Sequence, residues 1–135
     1  MELPERLTLW QKSNYSELHD PIAELVKINP VPSILIDMKT LSVAVINEAA
    51  LKLLGYSEEE MIGELITKFV PLDDIVAIQK SADEPPPEGE TRWRCVTKEG
   101  KILFIELKYR ETMYRGRTAR FAVLIKSSPT PFDPS

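Results

Sequence analysis

The two side-chain types most suited to soft-metal ligation occur once each in 135 residues, as Cys95 and His19. A structural zinc site needs four such ligands and a disulfide needs a second cysteine, so neither can be completed within one chain. Cys95 shares a strand face with Trp93, where a free cysteine reads first as a small buried hydrophobe and the indole as core or as a platform for a planar ligand. The dense carboxylates, Asp73-Asp74 and Glu58-Glu59-Glu60, stand at helix starts, where negative charge meets the positive end of the helix dipole without any catalytic task. No nucleophile beside a base and no glycine-rich phosphate cradle is legible, so the expectation is a non-enzyme with no catalytic residue, no metal and no bound cofactor.

Charge is unevenly distributed. Residues 1 to 87 carry 7 basic and 15 acidic side chains, whereas 88 to 126 carry 10 basic and 5 acidic. Arg92, Arg94, Lys108, Arg110 and Arg120 alternate with apolar residues as on the wet face of a sheet, which argues against a nucleic-acid surface. No run of about eighteen apolar residues is present and the N-terminus lacks a basic-then-apolar leader, so a soluble, cytoplasmic chain with no membrane partner is expected.

These residues need elements to position them. The spacing of Leu3, Leu7 and Trp10, then of Leu18, Ile22, Leu25 and Val26, predicts two short helices divided by Asp20-Pro21, a capping residue and a first-turn proline. Strands are predicted over Ser33 to Asp37 and Ser42 to Ile46. Asn47 and Gly55 then bracket a two-turn helix, and Ser57 to Glu60 matches a capping box. Broken helices follow around Gly63 and Pro71, and Pro85 to Pro87 mark an extended connector. Three strands close the chain, Thr91 to Lys98, Lys101 to Tyr114 and Arg117 to Lys126, joined by Glu99-Gly100 and Arg115-Gly116. In the middle strand Leu103, Ile105, Leu107 and Tyr109 share one face, which predicts a single buried side. The order implies an α+β fold with a five-stranded antiparallel sheet and short helices on one face. It divides the chain into an N-terminal helical extension (1–28), a domain (29–126) and a proline-rich C-terminal linker (127–135).

The segment Asn29 to Asp37 resembles the opening strand of PAS domains. Val45 to Ala50 and Leu54 to Gly63 are similar to that family's central helical motif, and Thr97-Lys98-Glu99-Gly100 to its late hairpin. Many members close on an Asp-Ile-Thr element before a helical linker, whereas Ile125 to Pro129 stands here instead. The resemblance implies a curved sheet enclosing a cavity against the short helices, and a role in signal transduction by small-ligand sensing, by dimerisation, or by both. The natural setting would be an attached effector such as a histidine kinase, a cyclic-dinucleotide enzyme or a transcription factor. Haem-binding members use a histidine on a helix beside the sheet, and His19 lies upstream of it. LOV-type flavin binders carry a helical Asn-Cys-Arg motif, and the matching region here has no cysteine.

The cavity so implied would be lined by Ile36, Val45, Leu54, Met61, Ile66, Ile75, Trp93, Cys95, Leu103 and Ile105, and would suit an apolar or aromatic small molecule. A stand-alone binding protein with a permanently occupied cavity is the alternative. Ile102, Phe104, Ala122 and Leu124 are expected on the outer face of the sheet, leaving an apolar strip for a homodimer built with Leu18, Ile22 and Leu25. The competing expectation is that the same helix covers the sheet of its own subunit.

Overall fold

The computed structural model describes residues 20–84 and 89–132, so Leu3, Leu7, Trp10, Leu18 and the Pro85 to Pro87 connector lie outside the described residues. Asp20 caps helix α1 (Pro21–Ile28): its Oδ1 accepts from the backbone N–H of Ile22 at 2.9 Å and of Ala23 at 3.4 Å, and Pro21 occupies a position that needs no donor. Strands β1 (Ser33–Asp37) and β2 (Ser42–Ile46) lead into α2 (Glu48–Leu54), and α3 (Glu58–Met61) follows. Two 3₁₀ turns, Ile66–Phe69 and Leu72–Asp74, precede α4 (Ile75–Asp83), and β3 (Glu90–Val96), β4 (Ile102–Tyr114) and β5 (Arg117–Ser128) complete the chain. The capping box is formed in both directions, Glu60 N–H to Ser57 Oγ at 3.2 Å and Ser57 N–H to Glu60 Oε1 at 3.0 Å.

Asn47 ties the helical layer to the sheet. Its Oδ1 accepts from Ala50 N–H and Ser33 N–H, each at 3.0 Å, while its Nδ2 donates to the carbonyls of Asn29 at 2.9 Å and Val31 at 2.8 Å. One buried amide thus caps α2 and fixes the approach to β1. At the other end of α2, Gly55 takes a left-handed φ of 85°, and a Cβ there would meet the Cβ of Lys98 at 3.3 Å. The β3–β4 hairpin packs close at that point, with Lys98 N–H donating to Leu54 O at 3.0 Å.

The sheet is antiparallel in the order β2-β1-β5-β4-β3. Its edge at β2 is covered by residues 63–66, which exchange backbone hydrogen bonds with Leu41 and Val43. The inner face carries the main core, with Ile34, Val43, Ile46, Ile105 and Leu124 meeting Ala50, Leu54, Met61 and Phe69 from the helices. On the outer face Val26 of α1 packs with Leu35, Val45 and Ala119, flanked by Ile22, Ala23, Tyr114 and Phe121. The helix therefore covers the sheet of its own subunit.

Two expected face assignments are corrected by the register. Arg115 and Gly116 both have positive φ, 51° and 75°, which makes a two-residue hairpin turn with Tyr114 opposite Arg117. That turn pairs Leu107 with Leu124 and Tyr109 with Ala122, and directly paired residues point to the same side. Ala122 and Leu124 accordingly lie in the inner core and not on the outer strip with Ile102 and Phe104. Val45 is the second case. Between β1 and β2 the register shifts so that Leu35 pairs with Val45 and Ile36 with Val43, leaving Ala44 without a partner. This bulge turns Val43 inward and leaves Val45 under α1.

Candidate ligand cavity

Between the inner face of the sheet and the helical layer lies a cavity of about 90 Å³. Its walls are apolar for most of their extent, with Ile36 from β1, Leu54 and Met61 from the helices, Ile66 and Phe69 from the first 3₁₀ turn, and Trp93, Cys95 and Ile105 from β3 and β4. Of the expected lining residues, Ile36, Leu54, Met61, Ile66, Trp93, Cys95 and Ile105 come together here. Val45 lies on the outer face, Leu103 packs against the core beside the cavity, and half-buried Ile75 stands at the start of α4 outside the lining.

Polar groups gather towards α4 and β5. Arg120, expected on the wet face of the sheet, is 8% exposed and lines the cavity with Ser81, Thr91 and Tyr109. Its Nε donates to Glu111 Oε1 at 2.8 Å, and its Nη2 lies 2.7 Å from the same oxygen and donates to Ser81 O at 3.2 Å. The guanidinium carbon lies 4.6 Å from the centroid of the Tyr109 ring, a cation–π contact. The signal for Arg120 was in the hairpin: a two-residue turn at Arg115-Gly116 places it opposite Glu111, in the same inward set as Tyr109 and Ala122.

Helix α4 is fastened at both ends by arginines. At its start Arg94 of the edge strand makes a bidentate pair with Asp74, Nε to Oδ2 at 2.9 Å and Nη2 to Oδ1 at 2.6 Å. Near its end Arg120 holds the carbonyl of Ser81, whose own hydroxyl donates to Ile78 O at 2.7 Å. Ile78 and Ser81 face the cavity, while Val76 of the same helix and Leu72 of the preceding 3₁₀ turn are exposed.

Burial pushes the Cys95 thiol up to about 12 from its ordinary 9.0, with the Asp74 carboxylate adding in the same direction. The surface that Cys95 keeps is accounted for by its place on the cavity wall. Because the folded value lies above the unfolded one, the stability drawn from keeping the thiol neutral is complete below about 9 and is lost as pH rises towards about 12. Iodoacetamide at pH 8 is expected to alkylate Cys95 far more slowly in the native protein than in denaturant. Equal rates would place the sulfur at the surface.

The residues assigned to a dimer contact fall in different places. Ile22 packs on its own sheet, Leu124 lines the cavity, Leu18 is outside the described residues, and Leu25 is exposed. Phe104 lies half-buried in an outer groove with Arg92, Trp93, Arg94 and Phe132, and the Phe132 ring sits 5.2 Å from both the Arg92 guanidinium carbon and Lys126 Nζ. Among the described residues no group of three or more His, Cys, Asp or Glu side chains is arranged to hold a metal, and no helix is long and apolar enough to cross a membrane.

No curated protein matches the chain. Among solved structures it is similar to the PAS domain of an HTR-like protein from Haloarcula marismortui, at 16% identity and a TM-score of 0.64, covering 90% of this chain and 98% of that one. A PAS domain from a two-component sensor histidine kinase matches at 16% identity and a TM-score of 0.65, covering 84% and 99%. A LOV protein from Rhodobacter sphaeroides matches at 14% and 0.66, covering 82% and 66%. At these identities the likeness is one of fold. A profile of the PAS domain matches residues 31–134, most of the chain and all five strands, and with that match the chain belongs to the PAS domain family.

Proposed function

We propose that this PAS domain is a regulatory sensory module without catalytic activity, in which occupancy of the inner cavity alters the packing of the helical layer and is passed to an attached effector. The observation that carries this reading is the apolar cavity with α4 as one wall, a helix fastened at each end by an arginine. A wall fastened at its two ends can shift without dismantling the sheet, whose strands keep their ladders.

The reading includes a homodimer formed through the exposed side of α1, where Leu25 is 56% and Ile28 75% exposed. Small-ligand sensing is tested by NMR titration with propane and with its polar analogues of similar size. Saturable shifts confined to residues such as Ile36, Met61 and Ile105 are expected with at least one of them, and no response to any would remove the cavity from a sensing role. Sedimentation equilibrium tests the dimer: Leu25→Glu is expected to shift the chain to monomer, and a wild-type chain that is already monomeric rejects this contact.

A further inference from the structure

We propose that the ligand of this cavity is a short-chain carboxylate, its apolar body against the isoleucines and its carboxylate on Arg120; the inference rests on the sensing role proposed above. Among the described residues that line the cavity Arg120 is the only charged one, and none of them is a carboxylate. A guanidinium offers five N–H donors in a planar fork suited to a carboxylate. Nε and Nη2 of Arg120 are engaged by Glu111 and Ser81, and Nη1 makes no hydrogen bond among the described residues.

The counter-ion is placed so that it can be exchanged. The Arg120 side chain is 9% exposed and that of Glu111 is 41% exposed. An anion arriving from the cavity side lets Glu111 turn to water, where a carboxylate is well solvated, while the buried guanidinium never loses its opposite charge. A neutral ligand has no such exchange available. The Tyr109 ring, 4.6 Å from the guanidinium carbon, helps to hold the fork in place.

Size sets the rest of the molecule. A cavity of about 150 Å³ is what takes up benzene, and this one is about 90 Å³. The ligand is therefore smaller than benzene, on the order of four or five non-hydrogen atoms with its acid group included. Met38 and Met61 in the wall can re-pack around so short a chain.

The test is NMR or calorimetric titration of the whole chain with propanoate, propanamide and propane. The acid is expected to bind about tenfold tighter than the amide, as a charge-assisted contact does against a neutral one. Glu111→Gln, which removes the competing charge from a part-exposed site, is expected to tighten the acid severalfold and leave the hydrocarbon unchanged. Arg120→Lys should keep part of the preference for the acid and Arg120→Met should abolish it. If Arg120→Met does not fold, Glu111→Gln decides the question alone. Equal affinity for acid and amide, or no response of the acid to Glu111→Gln, overturns the carboxylate site and leaves the sensing cavity standing. Failure of all three ligands to bind removes both.

Discussion

Replacing Asn47 by Ala is expected to cost about 4 kcal/mol: roughly 1 for the lost helix cap, and the remainder for the Ser33 N–H and the Asn29 and Val31 carbonyls left without their partner. The size follows from its four hydrogen bonds, which join three otherwise separate pieces of chain, the turn after α1, the start of β1 and the first turn of α2. Against a total stability of roughly 5–15 kcal/mol this is a large fraction. Asn47→Asp keeps the acceptor for Ala50 and Ser33 but sets a carboxylate against two carbonyl oxygens, so it should also be strongly destabilised. Denaturant unfolding reads both variants. A loss below about 1 kcal/mol for Asn47→Ala would reduce the residue to an ordinary cap.

The second large effect is expected at Val26, which is fully buried beneath α1. Val26→Asp should cost about 3 kcal/mol, the apolar burial of the valine together with the loss of helix docking, because the helix leaves the sheet sooner than it buries an unpaired carboxylate. Leu35, Val45 and Phe121 then meet water, so hydrogen exchange should quicken in β1 and β2 while β3 and β4 keep their protection. Leu25→Asp is the control. It lies one residue away on the same helix, is exposed, and should change stability by less than about 0.5 kcal/mol at dilutions where the chain is monomeric. Equal effects at the two positions would mean that α1 does not rest on its own sheet.

Local signals in the sequence were enough wherever a structure is decided by neighbours along the chain. Asp20-Pro21, Asn47 with Gly55, and the Ser57 to Glu60 box each name a helix end through hydrogen bonds made within a few residues, and all are found as expected. Face assignment was harder because it accumulates along a strand. From the middle of β4 the alternation of Ile105, Leu107 and Tyr109 is legible, but the face of Leu124 or Arg120 depends on counting through the Arg115-Gly116 turn. One unpaired residue reverses the count, as Ala44 does for Val45. Arg120 was assigned to water by its type, since arginine is mostly exposed, and its burial is explained by partners far off in the chain or on another strand, Glu111, Ser81 O and the Tyr109 ring. The Arg94–Asp74 clip spans twenty residues and carries no periodic signal at all.

The covered edge at β2 bears on how copies of this domain can associate through their backbones. Growth of a fibre by strand addition requires two open edges on every subunit, one to receive and one to offer. Residues 63–66 occupy the β2 side, and among the described residues no strand pairs with the far side of β3. Backbone pairing between native copies can therefore join β3 to β3 and then has nowhere to continue. In an antiparallel arrangement centred on Trp93, Arg92 of each copy faces Arg94 of the other, and like charges facing across a ladder oppose the contact. A native pool of this protein is protected from end-to-end polymerisation, and aggregation on storage should follow the population that has lost the β2 cover.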